Sequence, residues 1–456
     1  MATWTPTLPD GDGPLYERLI GALDGDIRKG ALEPGERLPP QRDLAFRLGV
    51  SIGTVTRAYA EAERRGLITG HVGRGSFVAG HAAPSAAEPG AIDLARNLPP
   101  LAPAGRRLAS ALAAMARRTD LAALLDYPPP GGFADQRRAG ATWLTTVANL
   151  QRLSPERIIC CAGAQQGTGI ALAAVCRPGD AVIAEEASFS GIKTLAAHMG
   201  YRLFPAEMDG EGLTPDGLAR AARQSGARAA YVLPVQNPTA RVMGAQRRRD
   251  LAAIARKLDL MLVEDDLYAA YATHLGHPPI AALAPERTAY VGGLSKSLAP
   301  GLRVGYVIAP PSLHEATLDA LRAIAFSAPG LNGMVAAQWI AGGEAFAILE
   351  EVRAEVAART ALARRMLGPA LEATPLAASP HLWLPMEELA AERLAGQVLR
   401  AGVELTSPRT PTLEGAPVRG LRLCLGGPRD LNQLEQGLSA VQAALAVPAA
   451  GGRHAV

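Results

Sequence analysis

Lys296 stands in a turn of small residues, Gly292-Gly293-Leu294-Ser295-Lys296-Ser297, after an apolar lead-in. Arg303 follows seven residues later, ahead of another apolar run. A lysine amine among small residues can stay neutral and free to attack a carbonyl, and an arginine one short loop away can hold a phosphate. A pyridoxal 5'-phosphate site needs both, a Schiff-base lysine and a phosphate anchor. The chain has four lysines, Lys29, Lys193, Lys257 and Lys296, beside 42 arginines (46 basic residues less these 4). Arginine stays protonated and cannot form the imine. The other three lysines lie in helix-like or amphipathic surroundings, which leaves Lys296 as the candidate. A surface lysine in a turn fits the same stretch, so this motif alone leaves two readings open.

The residues Ser295, Lys296, Pro300, Gly301, Arg303 and Gly305 resemble the lysine signature of the fold-type I pyridoxal phosphate enzymes, the aminotransferase fold. Further landmarks of that fold occur in order. Ala162-Gly163-Ala164-Gln165-Gln166 follows a strand-like run and opens a helix, and N–H groups at a helix start, here of Ala164 and Gln165, bind anions. The resemblance implies that Phe189 stacks on the pyridine ring and that Asn237, in Asn237-Pro238-Thr239, hydrogen-bonds the cofactor's 3-oxygen. It implies that Asp265 pairs with the ring nitrogen and that Tyr268 shares the 3-oxygen. It also implies that Tyr127 reaches the phosphate from a neighbouring subunit, and that Arg422 clamps a substrate α-carboxylate. Each has a bland alternative: an ordinary turn, a strand-end cap, a core aromatic, a surface cation. Three positions depart from the family. Gly293 stands where a serine or threonine is common, the stacking residue has no hydroxyl of its own, and Thr239-Ala240 replaces the commoner glycine after the asparagine-proline turn.

Something must hold these residues together. From about Ile92 to Ala446, apolar strand-like runs alternate with amphipathic helices. Candidate strands are 157–162, 181–185, 229–234, 260–264, 289–292 and 304–309. Such alternation predicts an α/β fold, a mostly parallel sheet covered by helices. From about residue 350 a long helix and short strand candidates at 382–385 and 420–425 predict a smaller α/β subdomain.

Residues 1–80 read as a separate unit. Leu15, Leu19, Leu23 and Ile27 line one face of a helix over 15–28. Glycines and prolines at 30–40 break it. A short helix at 41–48, a turn at Gly49-Val50, and Ser51 as N-cap of a helix to about 65 predict a helix-turn-helix. Its core is Leu44, Leu48, Val50, Val55, Tyr59 and Ala62. Ile52, Gly53, Thr54, Thr56 and Arg57 lie at the exposed start of the second helix, the end that enters a major groove. A hairpin over 67–78 would carry Arg74 at its tip. Residues 41–80 have six arginines, Arg42, Arg57 and Arg74 among them, against three acids, whereas residues 1–40 are net acidic. That excess suits phosphate contact. Ser51, Gly53, Thr54 and Thr56 complete the candidate DNA face. The same pattern also fits a small packing unit with a solvated face. However, 32–45 (LEPGERLPPQRDLA), 48–67 and 73–78 (GRGSFV) closely resemble the winged helix-turn-helix of the GntR regulators. Residues 81–91, small, polar and proline-bearing, read as a linker.

At 456 residues the chain holds two or three domains, and a net charge of +3 names no partner. There is no signal-like start and no membrane-length apolar run, so a cytoplasmic protein is expected. Cys160, Cys161, Cys176 and Cys424 lack metal-ligand spacing and read as buried thiols. A winged helix joined to an aminotransferase-like domain resembles the MocR-type subgroup of the GntR regulators. The resemblance implies a homodimeric transcription factor that binds an operator and senses an amino acid, amine or pyridoxal phosphate by aldimine exchange at Lys296. The alternative is an active aminotransferase with a DNA-binding appendage. That would be an odd attachment for a housekeeping enzyme, so the regulator is favoured.

Overall fold

The computed structural model describes residues 4–8, 14–28, 31–32, 36–64, 67–71, 75–78 and 91–446. The chain divides into two compact units, Met1–Glu88 and Pro89–Val456.

The first unit contains α1 (Leu15–Arg28), α2 (Gln41–Leu48), α3 (Ile52–Arg64) and an antiparallel hairpin of β1 (Ile68–His71) and β2 (Gly75–Val78). Leu19 and Leu23, one turn apart on α1, share a buried core with Leu44, Val55, Tyr59 and Ala62. Gly49 ends α2 with φ +66, a left-handed cap that glycine adopts without strain. The Ser51 hydroxyl accepts from the Thr54 N–H at 3.1 Å, the predicted N-cap of α3. Arg37 forms an isolated antiparallel bridge to Phe77 beside the hairpin, which the sequence reading did not anticipate. Arg74 and linker residues 81–90 lie outside the described residues.

The second unit is built on seven strands: β4 (Ile159–Cys161), β5 (Ala181–Glu185), β6 (Arg202–Ala206), β7 (Ala229–Val232), β8 (Met261–Asp265), β9 (Thr288–Gly293) and β10 (Gly305–Ile308). Their order across the sheet is β4-β10-β9-β8-β7-β5-β6. Only β10 runs antiparallel to its neighbours. Every residue of β5, β7 and β9 is buried, as expected for strands covered on both faces. The six predicted strands are present. The edge strand β6 was missed, because its half-buried Arg-Leu-Phe-Pro-Ala has no clean pattern and carries a proline that only an edge tolerates.

A smaller layer follows the helix Glu344–Leu367. Here β11 (His381–Pro385) pairs antiparallel with β13 (Gly420–Cys424), over a core that includes Leu362, Leu384, Leu423 and Leu438. Leu94 belongs to that core too. The two-residue strand β3 (Ile92–Asp93) pairs parallel with β12 (Val403–Glu404), so the start of this unit is built into its C-terminal layer. Two residues are too few to show a period in the sequence.

Candidate functional site

One end of the candidate site forms where β4 turns into the helix Ala164–Ala173. Gly163 makes that turn with φ +85. The Arg303 guanidinium lies across it: Nη2 donates to the Ala162 carbonyl at 2.8 Å, and a Cβ on Gly163 would fall 2.6 Å from the same atom. Arg303 holds this pose from a left-handed backbone, φ +51. Gly305 of β10 is forced as well, since its Cβ would meet the Gly163 carbonyl carbon at 2.6 Å. The close approach of β9 and β10 also explains Gly293. A Cβ there would lie 3.0 Å from the Val304 carbonyl oxygen, a tight contact that a side chain would fit only if its neighbours gave by a few tenths of an ångström. Gln165 donates to the Gly191 carbonyl at 2.8 Å, and the Phe189 ring closes over the same glycine.

Lys296 follows β9, and Ser295 beside it is buried. The Lys296 amine donates to the Asn97 carbonyl at 2.7 Å, and Tyr271 donates to the Lys296 carbonyl at 2.7 Å. Burial drives the amine down to about 8, with Arg422 and Arg303 adding to the fall and Cys424 and Asp265 opposing it. Asp265 ends β8, buried, and accepts from Tyr231 at 2.5 Å. Burial pushes its carboxyl up to about 6 against that hydrogen bond. A buried carboxylate to which no cation is hydrogen-bonded among the described residues suits a protonated ring nitrogen, which would supply a paired charge.

Tyr268 is buried between two amides, accepting from Asn97 Nδ2 at 2.9 Å and Asn237 Nδ2 at 3.3 Å. The Asn237 side-chain oxygen, Oδ1, accepts from Arg422 Nη1 at 2.9 Å. Arg422 Nη2 donates to the Ala95 carbonyl and to Thr406, both at 3.0 Å, while its buried Nε has no partner. Ala240, the residue replacing the family's glycine, sits at φ +59. Thr239 donates through both its N–H and its hydroxyl to Gln236 Oε1, which fixes that turn.

The structure thus brings Lys296, Asp265, Tyr268, Asn237 and Arg422 together, with Arg303, Ala164, Gln165 and Phe189 at the end where β4 meets the helix Ala164–Ala173. Tyr127 is not joined to them within its own chain; it is 69% exposed and packs against Phe326. Sequence reasoning missed Asn97 and His381. His381 Nδ1 lies 2.9 Å from Asn97 Nδ2 and His381 Nε2 lies 3.3 Å from the Gln236 carbonyl oxygen, and the ring meets Tyr268 edge-on. Lys193 also departs from its plain surroundings, donating to the carbonyls of Arg409, Thr410 and Thr412.

On the first unit, Arg42, Ile52, Gly53, Thr56 and Arg57 are exposed. Thr56 donates to Gln41, and the Arg57 guanidinium lies 4.0 Å above the Tyr16 ring. Ser51 and Thr54 also share a 2.8 Å hydroxyl contact.

Residues 15–78 match the bacterial regulatory proteins of the gntR family, and residues 89–441 match aminotransferase class I and II. The chain is therefore a GntR helix-turn-helix joined to a fold-type I aminotransferase domain, a class whose fold relatives depend on pyridoxal phosphate. It is 30% identical to an uncharacterized HTH-type transcriptional regulator, YdeF, of Bacillus subtilis, over 96% of this chain and 95% of that protein. It is 27% identical to the probable rhizopine catabolism regulatory protein MocR of Rhizobium meliloti, over 67% of each. An archaeal alanine:glyoxylate aminotransferase superposes with a TM-score of 0.69 at 20% identity, over 86% of this chain and 94% of that one. The chain belongs to the MocR-type subgroup of the GntR transcriptional regulators. Among the described residues no helix is long and apolar enough to cross a membrane, and no metal-binding cluster occurs.

Proposed function

We propose that this protein is a transcriptional regulator that binds pyridoxal 5'-phosphate at Lys296 and reads an amino acid, an amine or the cofactor itself by exchange of the Lys296 imine. One observation carries this reading. A depressed lysine amine, a buried carboxylate to which no described cation is hydrogen-bonded and an arginine across a forced-glycine helix start converge in one unit of a chain whose other unit is a GntR helix-turn-helix. When bound, the cofactor supplies the aldehyde and the electron-withdrawing ring. Lys296 would hold the aldehyde, Asp265 the ring nitrogen, Tyr268 and Asn237 the 3-oxygen, and Phe189 the ring face. Arg303, Ser295 and the N–H groups of Ala164 and Gln165 would hold the phosphate. Arg422, already aimed by Asn237 and Thr406, suits a ligand carboxylate. The exposed Tyr127 fits a role toward the phosphate of a second subunit, so the working form is a homodimer, acting in the cytoplasm. Residues 1–80 read the operator, through Arg42, Arg57, Arg74 and the start of α3; residues 81–91 connect them to the core at 92–456.

The test measures affinity for DNA flanking the protein's own gene, with and without each amino acid that changes the protein's visible absorption. Coupling of about 5- to 150-fold is expected for wild type, with the operator changing effector affinity by the same factor. Lys296→Ala should bind the same DNA without a response. The second reading, an active aminotransferase, is favoured by the intact Asp265, Lys296 and Arg422 set. If DNA affinity ignores every amine that alters the spectrum, while steady-state transamination proceeds, that reading takes over.

A further inference from the structure

We infer that His381 and Asn97 are positioning residues that aim the hydroxyl proton of Tyr268 into the Lys296 site. The inference rests on the reading of Lys296 as a cofactor lysine.

The Gln236 carbonyl oxygen can only accept a hydrogen bond. His381 Nε2 lies 3.3 Å from that oxygen, so Nε2 must carry the proton. His381 is fully buried, and its burial beside Arg422 holds it neutral, down to about 3. Its Nδ1 is then an acceptor, and the atom facing it at 2.9 Å must be the Asn97 N–H, not its carbonyl oxygen. The same Nδ2 has a second hydrogen, which goes to Tyr268 at 2.9 Å. The other side of Tyr268 is fixed independently. Arg422 donates to Asn237 Oδ1, which turns Asn237 Nδ2 toward Tyr268. The phenol oxygen therefore accepts two N–H bonds, its full lone-pair capacity. Its own proton has no protein acceptor among these partners and is left to donate to whatever enters the site. An acceptor there, such as the cofactor's ring oxygen, gains a donor that cannot turn away. Flipping Asn97 would set two acceptors against each other at His381 and leave Tyr268 free to point its proton at Asn97. His381 thus acts on Tyr268 at one remove, through an amide that also receives Lys296 on its backbone carbonyl.

A donor to the ring oxygen stabilises its anionic form and so disfavours protonation of the Lys296 Schiff base. The experiment is a pH titration of the visible absorption band of the full chain saturated with pyridoxal phosphate. His381→Phe and Asn97→Ala should each raise the midpoint by about 0.5–1 pH unit, the worth of one hydrogen bond. Tyr268→Phe should raise it at least as far. His381→Gln, whose amide can both donate to Gln236 and accept from Asn97, should restore it toward wild type. The double variant His381→Phe/Asn97→Ala should shift no further than Asn97→Ala alone, because the two act in series; packing defects would add. Asp265, Cys424, Arg422 and Arg303, which also act on the Lys296 amine, are unchanged throughout. Should His381→Phe not fold, Asn97→Ala and His381→Gln carry the comparison. Midpoints within 0.2 (roughly a fifth of the expected full shift) for Asn97→Ala, with Tyr268→Phe displaced, overturn the inference, and so does an additive double variant. A wild-type protein that forms no band at all overturns the cofactor reading itself, and this inference with it.

Discussion

Replacing Lys296 by methionine should stabilise the cofactor-free protein at neutral pH. The amine is held near 8 in the fold, against 10.5 for an ordinary lysine, chiefly because burial penalises its charge. At about 1.36 kcal/mol per pH unit, that gap corresponds to about 3 kcal/mol lost when a charged amine must be folded in. The side chain is not wholly enclosed and keeps a hydrogen bond to the Asn97 carbonyl, so about 2 kcal/mol is a fairer figure. The sign follows from which state holds more protons. Between 8 and 10.5 the unfolded chain is the more protonated, so stability rises with pH across that window. Below 8 the penalty is full, and above 10.5 it is gone. Lys296→Met should therefore gain about 2–3 °C in the melting of the second unit at pH 7, and less than half of that at pH 9.5. The assay is a thermal melt of cofactor-stripped wild type and variant at the two pH values. A gain of equal size at both, or a loss at pH 7, would show that the amine is not charge-strained in the fold. With pyridoxal phosphate added the order should reverse, because only the wild type gains binding energy through the lysine.

Arg303→Ala should weaken pyridoxal phosphate binding about 10- to 100-fold, the worth of a charged hydrogen bond, while the imine band still forms at saturation; equilibrium dialysis reads it, and unchanged affinity removes Arg303 from the phosphate end. Arg422→Ala should cost carboxylated effectors a similar factor and leave cofactor loading within about twofold; equal spectral responses to amines lacking a carboxylate would count against the clamp. Ala240→Gly should raise stability by up to about 1 kcal/mol in denaturant melts, because a left-handed alanine is strained and glycine is not. Arg57→Ala should weaken operator binding and reduce the slope of log affinity against log salt by about 0.9; an unchanged slope would mean that the guanidinium serves only the Tyr16 ring.

Much of the positioning framework was legible because it is local. Val182 and Ile183 sit in an unbroken apolar run that only a doubly covered strand explains, and Ser51 precedes α3 at capping distance. Lys296, Asp265 and Tyr268 were found through motifs that carry their own spacing. What stayed hidden depends on contacts between distant residues. Asn97 and His381 lie 284 positions apart, and neither belongs to a local pattern. Gly293 read as a lost hydroxyl, and only the packing of β9 on β10 shows how tight a Cβ would be there. The left-handed pose of Arg303 could not be foreseen either, since arginine has no preference for it.

The short stretch after β3 gives up two carbonyls to the site: Ala95 takes Arg422, and Asn97 takes Lys296. In the proposed reading Arg422 would meet a ligand carboxylate and Lys296 the cofactor's aldehyde. The same stretch is the first piece of the second unit that the chain reaches after residues 81–90, and β3 stitches it to β12. A ligand that drew Arg422 and Lys296 away would therefore free both carbonyls of a stretch that β3 pairs into the C-terminal layer.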